Sequence, residues 1–144
     1  NDTIEFATKA HEGQFRWGGV IPYITHPLAV MEIVELNYCL FFMSNNYLED
    51  AKKVAVLHDV VEDTKWTLED LRGMGYSDLV VRGVESVTEV EGDTYLDKVI
   101  RAKNHPIGKL VKCSDITHNM SDMNRTKMKC KYDKYQLAKH ILSP

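Results

Sequence analysis

Apolar positions along the chain recur mostly at three- and four-residue spacing, the period of a helix rather than of a strand. Phe6, Ala7 and Ala10 share one face of a first helix. Gly13, Gly18, Gly19 and Pro22 then mark a loop. Pro27 suits the first turn of a second helix that carries Leu28, Met31 and Val34. A third helix is predicted over 49–62. Thr67 and Asp70 have the spacing of a capping box opening a short helix, with Asp in place of the usual Glu. Leu79, Val80, Val84 and Val87 suit a further helix, although their β-branched residues leave 79–90 open to a strand reading. Helices over 93–103, 106–122 and 129–142 complete the pattern. No segment alternates convincingly with period two, so the predicted class is all-α. Residues 40–43 (Leu, Phe, Phe, Met), with Tyr38 and Tyr47, are expected to pack on the core.

Two of these helices break their own pattern. Each residue advances about 100° around a helix. In 49–62, the apolar stripe Ala51, Val54, Ala55 runs into His58, Asp59 and Glu62, with Asp63 at its edge. In 106–122, Ile107, Leu110 and Val111 lead into Ser114, Asp115 and His118, with Asn119 at the edge. A buried carboxylate is costly unless a cation or a metal pairs with it. The two stripes are therefore expected to face each other across an ion. Asp59 and Asp115 offer oxygens, His58 a nitrogen, and His26, just before Pro27, a fourth ligand. Two imidazoles with two carboxylates suit Mn²⁺ or Fe²⁺ with open water positions better than a closed Cys-rich zinc site. Singly, each of these residues reads as well as a helix cap or the partner of a surface lysine; their joint placement carries the metal reading.

Glu62 and Asp63 follow on the same helix side, where a carboxylate would orient a water and take its proton. The alternative is a charge pair, with Thr64, at the start of the next helix. His118 reads as a hydrogen-bonding partner behind a ligand rather than as a ligand. His11 reads as a packing or hydrogen-bonding residue, and His105 and His140 as surface residues.

With 144 residues the chain suits one domain, 1–144, with a core large enough to need no disulfides. A net charge of −3 excludes coating of nucleic acid by bulk charge but leaves room for a local basic pocket. Arg125, Lys127, Lys129, Lys131, Lys134 and Lys139, against Asp133, would form either a field for a highly charged substrate or, more commonly, a solvated helix face. Cys39, Cys113 and Cys130 form no C-x-x-C pair and read as free cytoplasmic thiols. No apolar run approaches the roughly 18 residues of a spanning helix, and no signal peptide shows at Asn1. A cytoplasmic protein without membrane or nucleic-acid partners is expected.

The segments that carry this chemistry also resemble a known family. Ala10-His11-Glu12-Gly13-Gln14-Phe15-Arg16 and Pro22-Tyr23-Ile24-Thr25-His26-Pro27 resemble the opening motifs of the hydrolase domain of RelA/SpoT-type proteins. His58-Asp59-Val60-Val61-Glu62-Asp63-Thr64 is similar to the family's HD-x-x-ED signature. Lys112-Cys113-Ser114-Asp115, followed by His118-Asn119-Met120, resembles its last metal motif. The motifs come in the family's order and span most of residues 7–120. The resemblance implies an HD-domain bundle of about seven to eight helices around a metal site. It implies a stand-alone hydrolase that uses Mn²⁺ to remove the 3′-pyrophosphate of (p)ppGpp, the alarmone of the stringent response, leaving GDP or GTP and pyrophosphate. By the same resemblance His26, His58, Asp59 and Asp115 are metal ligands, and Glu62 and Asp63 the catalytic acidic pair. Arg16 would pack on the guanine, Asn119 lie near the ribose, and Lys112 and Tyr132 lie on the substrate side, with Lys131 beside Tyr132. Trp17, Ile116, Ser121 and Asp122 stand where the family often has Lys, Arg, Arg and Thr. Those departures keep a second substrate reading open, another phosphorylated nucleotide, and beside it a non-catalytic nucleotide-sensing module.

Overall fold

The computed structural model describes residues 2–123 and 128–144; Arg125 and Lys127 of the basic run lie outside the described residues. The elements in order are α1 (Asp2–Ala10), α2 (Thr25–Phe41), a 3-10 turn (Asn45–Tyr47), α3 (Leu48–Leu57) and α4 (Val60–Asp63). They continue with α5 (Leu68–Gly73), α6 (Asp78–Ser86), α7 (Tyr95–Lys103), α8 (Pro106–Ser121) and α9 (Lys129–Leu142). Among the described residues the architecture is all-α. One isolated antiparallel bridge, Phe15 with Pro22, closes the glycine-rich loop after α1. Gly18 and Gly19 sit there at φ +92° and +75°, a region that residues with a Cβ rarely adopt.

Side-chain caps place the starts of α5 to α8. Thr67 and Asp70 form the capping box, each accepting the other's backbone N–H, at 3.1 and 2.9 Å. Thr94 and Asp97 repeat the device at the start of α7. Ser77 caps α6, and Val80, Val81 and Val84 are all buried, so burial on one helical face overrides the strand preference of the valines. His105, expected at the surface, instead caps α8: its Nδ1 accepts the Gly108 N–H at 3.1 Å, with Pro106 in the first turn.

The core has two parts that share α8. The larger gathers Val30 and Val34 of α2, Val54 and Leu57 of α3, Val84 of α6 and Leu110 of α8. The smaller joins Val99 of α7, Ile116 of α8, and Ala138 and Leu142 of α9. A Cβ on Gly108 would lie 2.0 Å from Ser86 Oγ, so α8 approaches α6 at a distance only glycine permits. Of the residues expected to pack over the core, Tyr38 is buried and stacks on Phe42 at 4.7 Å. Leu40 and Met43 instead face solvent: Leu40 lies off the inward stripe Val30, Val34, Tyr38 of α2, and Met43 lies past the helix end.

The helix predicted over 49–62 is not continuous. It stops at Leu57 and resumes at Val60, with His58 and Asp59 in the turn between. The His58 ring donates from Nδ1 to the Ala55 carbonyl at 2.6 Å. That carbonyl would otherwise take the Asp59 amide, so the side chain displaces a helical hydrogen bond and α4 departs as a separate turn.

Candidate active site

His26, at the second position of α2, is buried and fixed at both ring nitrogens. Nε2 lies 2.7 Å from Asp115 Oδ1, and Nδ1 lies 2.7 Å from His118 Nδ1. His58 reaches the same spot from the α3–α4 corner: its Nε2 is 3.0 Å from Asp59 Oδ2 and 3.4 Å from Asp115 Oδ1. Ligand atoms of His26, His58 and Asp59 lie within 4.8 Å of one another. The two polar stripes do face each other, with α2 completing the ring.

Hydrogen bonding determines which ring nitrogens face the cluster. A carbonyl can only accept, so His58 carries its proton on Nδ1 and turns an Nε2 lone pair into the site. That buried Nε2 has no hydrogen-bond partner. A lone pair without a donor, between two carboxylates, suits a divalent cation. With His26 Nε2 as a ligand, its Nδ1–H donates to His118, which places the His118 proton on Nε2, 3.8 Å from Asp122 Oδ2. His118 thus stands behind His26, on the side of the ring away from Asp115.

The charges fit the same assignment. Burial opposes ionisation of Asp59, but His58 beside it outweighs this and holds the carboxyl at about 2. Burial likewise opposes ionisation of Asp115, and Lys112 with the two rings holds it well below the ordinary value. Burial would lower His58, yet Asp59 and Asp115 raise it. Lys112 donates to Asp115 Oδ2 at 3.2 Å. Asn119 donates to Asp115 Oδ1 at 3.3 Å and accepts from Arg16 at 3.2 Å.

Glu62 and Asp63 sit on the exposed side of this cluster, and carboxylate oxygens of Asp59, Glu62 and Asp63 fall within 4.8 Å of one another. They do not pair at the start of the next helix, since Thr67 caps α5. Glu62 accepts the Glu89 backbone N–H at 2.7 Å, which fixes its orientation. Burial, followed by the charges of Asp59 and Glu62, pushes Asp63 up to about 6.

A second zone adjoins the first. Arg16, 8% exposed, donates to Asp122 at 3.0 Å and lies 4.9 Å from the Trp17 ring centre. Lys131 lies 5.2 Å from the same ring. Arg16, Trp17, Ile21, Thr25, His118 and Asp122 line a hollow of about 440 Å³. Tyr132 lies apart, accepting from Gln136 at 3.1 Å in a hollow shared with Thr117 and Met120. Tyr135, one turn on, is buried in the smaller core, with its ring 6.0 Å from that of Tyr95. Sequence reasoning missed Tyr23, whose hydroxyl donates to Asp59 Oδ2 at 2.5 Å. Tyr23 stands inside a motif already singled out, so the signal was present without a way to rank it.

No family model matches the chain. The chain is 32% identical to the guanosine-3′,5′-bis(diphosphate) 3′-pyrophosphohydrolase MESH1 of Danio rerio, over 86% of this chain and 68% of that protein. The chain belongs to the RelA/SpoT-type (p)ppGpp hydrolase family. It is also 37% identical to the guanosine-3′,5′-bis(diphosphate) 3′-pyrophosphohydrolase of Haemophilus influenzae, over 79% of its length. It spans only 17% of that relative, as of other long bacterial members of the family. A solved structure of a metazoan ortholog of SpoT shares the fold, with a TM-score of 0.73 at 23% identity, over 98% of this chain and 81% of that one. The RelA/SpoT-type hydrolases thus share with this chain the helical HD-domain scaffold on which its cluster is mounted.

Proposed function

We propose that this chain, as one HD-type domain over 1–144, hydrolyses the 3′-pyrophosphate of (p)ppGpp, yielding GDP or GTP and pyrophosphate. One observation carries the reading: an oriented acidic pair, Glu62 and Asp63, stands beside a buried His-Asp cluster with an unsatisfied imidazole lone pair. His26, His58, Asp59 and Asp115 would hold a divalent cation, Mn²⁺ by the donor set, with Fe²⁺ as the next candidate. When bound, such an ion neutralises phosphoryl charge and makes a nearby water more acidic. Glu62 and Asp63 take the proton of the attacking water. The water oxygen bonds to the 3′-linked phosphorus, the bond from phosphorus to the ribose 3′-oxygen breaks, and that oxygen leaves protonated.

Arg16 and Asn119, joined at 3.2 Å, bind the nucleoside end, and Lys112 stabilises charge on the Asp115 side. A second reading, hydrolysis of another phosphorylated nucleotide, is favoured by Trp17 between Arg16 and Lys131 and by the Asp122 carboxylate on Arg16. The deciding experiment is pyrophosphate release from ppGpp by Mn²⁺-loaded and by chelator-treated protein, beside a panel of other phosphorylated nucleotides. Mn²⁺-dependent release with GDP as co-product, and preference for guanosine 3′-pyrophosphates, is expected. Loaded protein that turns over only another member of the panel would transfer the assignment to the second reading.

A further inference from the structure

The acidic pair rides on a very short element. α4 is four residues long, too short to hold its shape through its own hydrogen bonds. Its last carbonyls need partners from elsewhere. The Asp63 carbonyl finds one in the Gln14 side chain, whose Nε2 donates to it at 2.8 Å across the gap from the loop after α1. The other end of the Gln14 amide is bound as well: Oε1 lies 2.8 Å from His11 Nδ1. Because Oε1 only accepts, His11 carries its proton on Nδ1. His11 is buried at 2% exposure, and its ring packs against Tyr23, 5.1 Å between centres. The Gln14 backbone carbonyl accepts the Tyr23 N–H at 2.8 Å, and the Tyr23 hydroxyl reaches Asp59. One loop therefore grips α4 at both ends, through Asp59 and through Asp63.

From this geometry we infer that His11 is a positioning residue for the Glu62–Asp63 pair, acting through the Gln14 side-chain amide. The inference rests on the hydrolase reading above and adds to it. Left to itself, the Gln14 amide has two orientations. The flipped one would set its oxygen against the Asp63 carbonyl, two acceptors face to face. The His11 Nδ1–H donor selects the orientation that bonds. Fixing this amide fixes the end of α4, and with it where the two carboxylates stand relative to the His-Asp cluster. Neither His11 nor Gln14 takes a proton in the reaction or touches the reacting atoms.

The test compares His11→Leu, His11→Asn and Gln14→Leu in the full chain. The side-chain nitrogen of Asn occupies the place of His Nδ1, so His11→Asn keeps the donor and His11→Leu removes it. Three quantities are read: kcat and KM for ppGpp hydrolysis, Mn²⁺ affinity by calorimetry, and amide hydrogen exchange over 60–64. Expected is a fall of about tenfold or more in kcat for His11→Leu and Gln14→Leu, with KM and Mn²⁺ affinity changed less than about threefold. Exchange at Asp63 and Thr64 should be faster in both, and His11→Asn should recover most of the kcat and the protection. Equal losses in His11→Leu and His11→Asn would overturn the inference, since burial alone would then explain them. Loss of Mn²⁺ binding in step with kcat would overturn it too, by showing that His11 shapes the metal cluster instead. Absence of ppGpp turnover in the unmodified chain would count against the hydrolase reading alone, because the exchange comparison still decides whether His11 holds α4.

Discussion

The His-Asp cluster and the Arg16–Trp17 edge differ in how they are held. In the cluster, buried rings are anchored at the nitrogen facing away from it: His26 by His118 and His58 by the Ala55 carbonyl. Those anchors leave one ring orientation, and the carboxylates follow. At the edge, Trp17 is half exposed and is held by cations over its ring, with Arg16 shared between Asn119 and Asp122. The cation contacts over the exposed Trp17 ring are worth little each and rearrange readily, although Arg16 itself is buried. On the proposed hydrolase reading, the chemistry would sit on the fixed groups and the nucleotide end against the more exposed Trp17, so a change of substrate would need only the edge to change.

Four measurements would break or sharpen that contrast. The largest effect is expected at the acidic pair: Glu62→Gln should lower kcat by roughly 10²–10⁴-fold while Mn²⁺ binding, read by calorimetry, persists. His118→Ala tests the anchoring directly. It should weaken Mn²⁺ affinity by about 10–100-fold, because His26 loses the partner that fixes its orientation; unchanged affinity would remove the anchor from the account.

The third measurement is melting temperature against pH, with and without Mn²⁺. In cation-free protein the raised His58 pKa gives stability that is fully present below its ordinary 6.5 and lost as pH rises through the raised value. The lowered Asp59 pKa gives stability present above its ordinary 3.8 and lost as pH falls through about 2. Chelated protein should therefore lose stability on the alkaline side, and the Mn²⁺-loaded protein should not, because the ion takes over the proton's role. The smallest effect belongs to the edge: Trp17→Ala should raise KM a few-fold and leave kcat and metal affinity unchanged. A large fall in kcat there would erase the distinction between the two regions.

Much of the cluster was legible because helical periodicity is strict. His58, Asp59, Asp115 and His118 stand where an apolar stripe should continue, and a polar group there needs a partner. The capping box at Thr67 was legible for the same local reason, and it was found as expected. The break between α3 and α4 was not, because it depends on a side chain taking a backbone acceptor, and nothing in the spacing distinguishes His58 from any helical histidine. His105 was misplaced at the surface because a histidine cap lacks the familiar Ser, Thr, Asp or Asn signature. Tyr23 and Gln14 were unranked because the bonds that tie them to α4, Gln14 to Asp63 and Tyr23 to Asp59, cross tens of residues of chain.

By itself, then, the sequence determined an all-α fold and the two apolar stripes that run into His58 and Asp59 and into Asp115, since these follow from a 3.6-residue period and local caps. Only the tertiary structure decided which nitrogen of each ring faces the cluster, how the four residues of α4 are held, and that the Tyr23 hydroxyl reaches Asp59. Those properties depend on distances between segments far apart along the chain, and packing sets such distances while periodicity is blind to them.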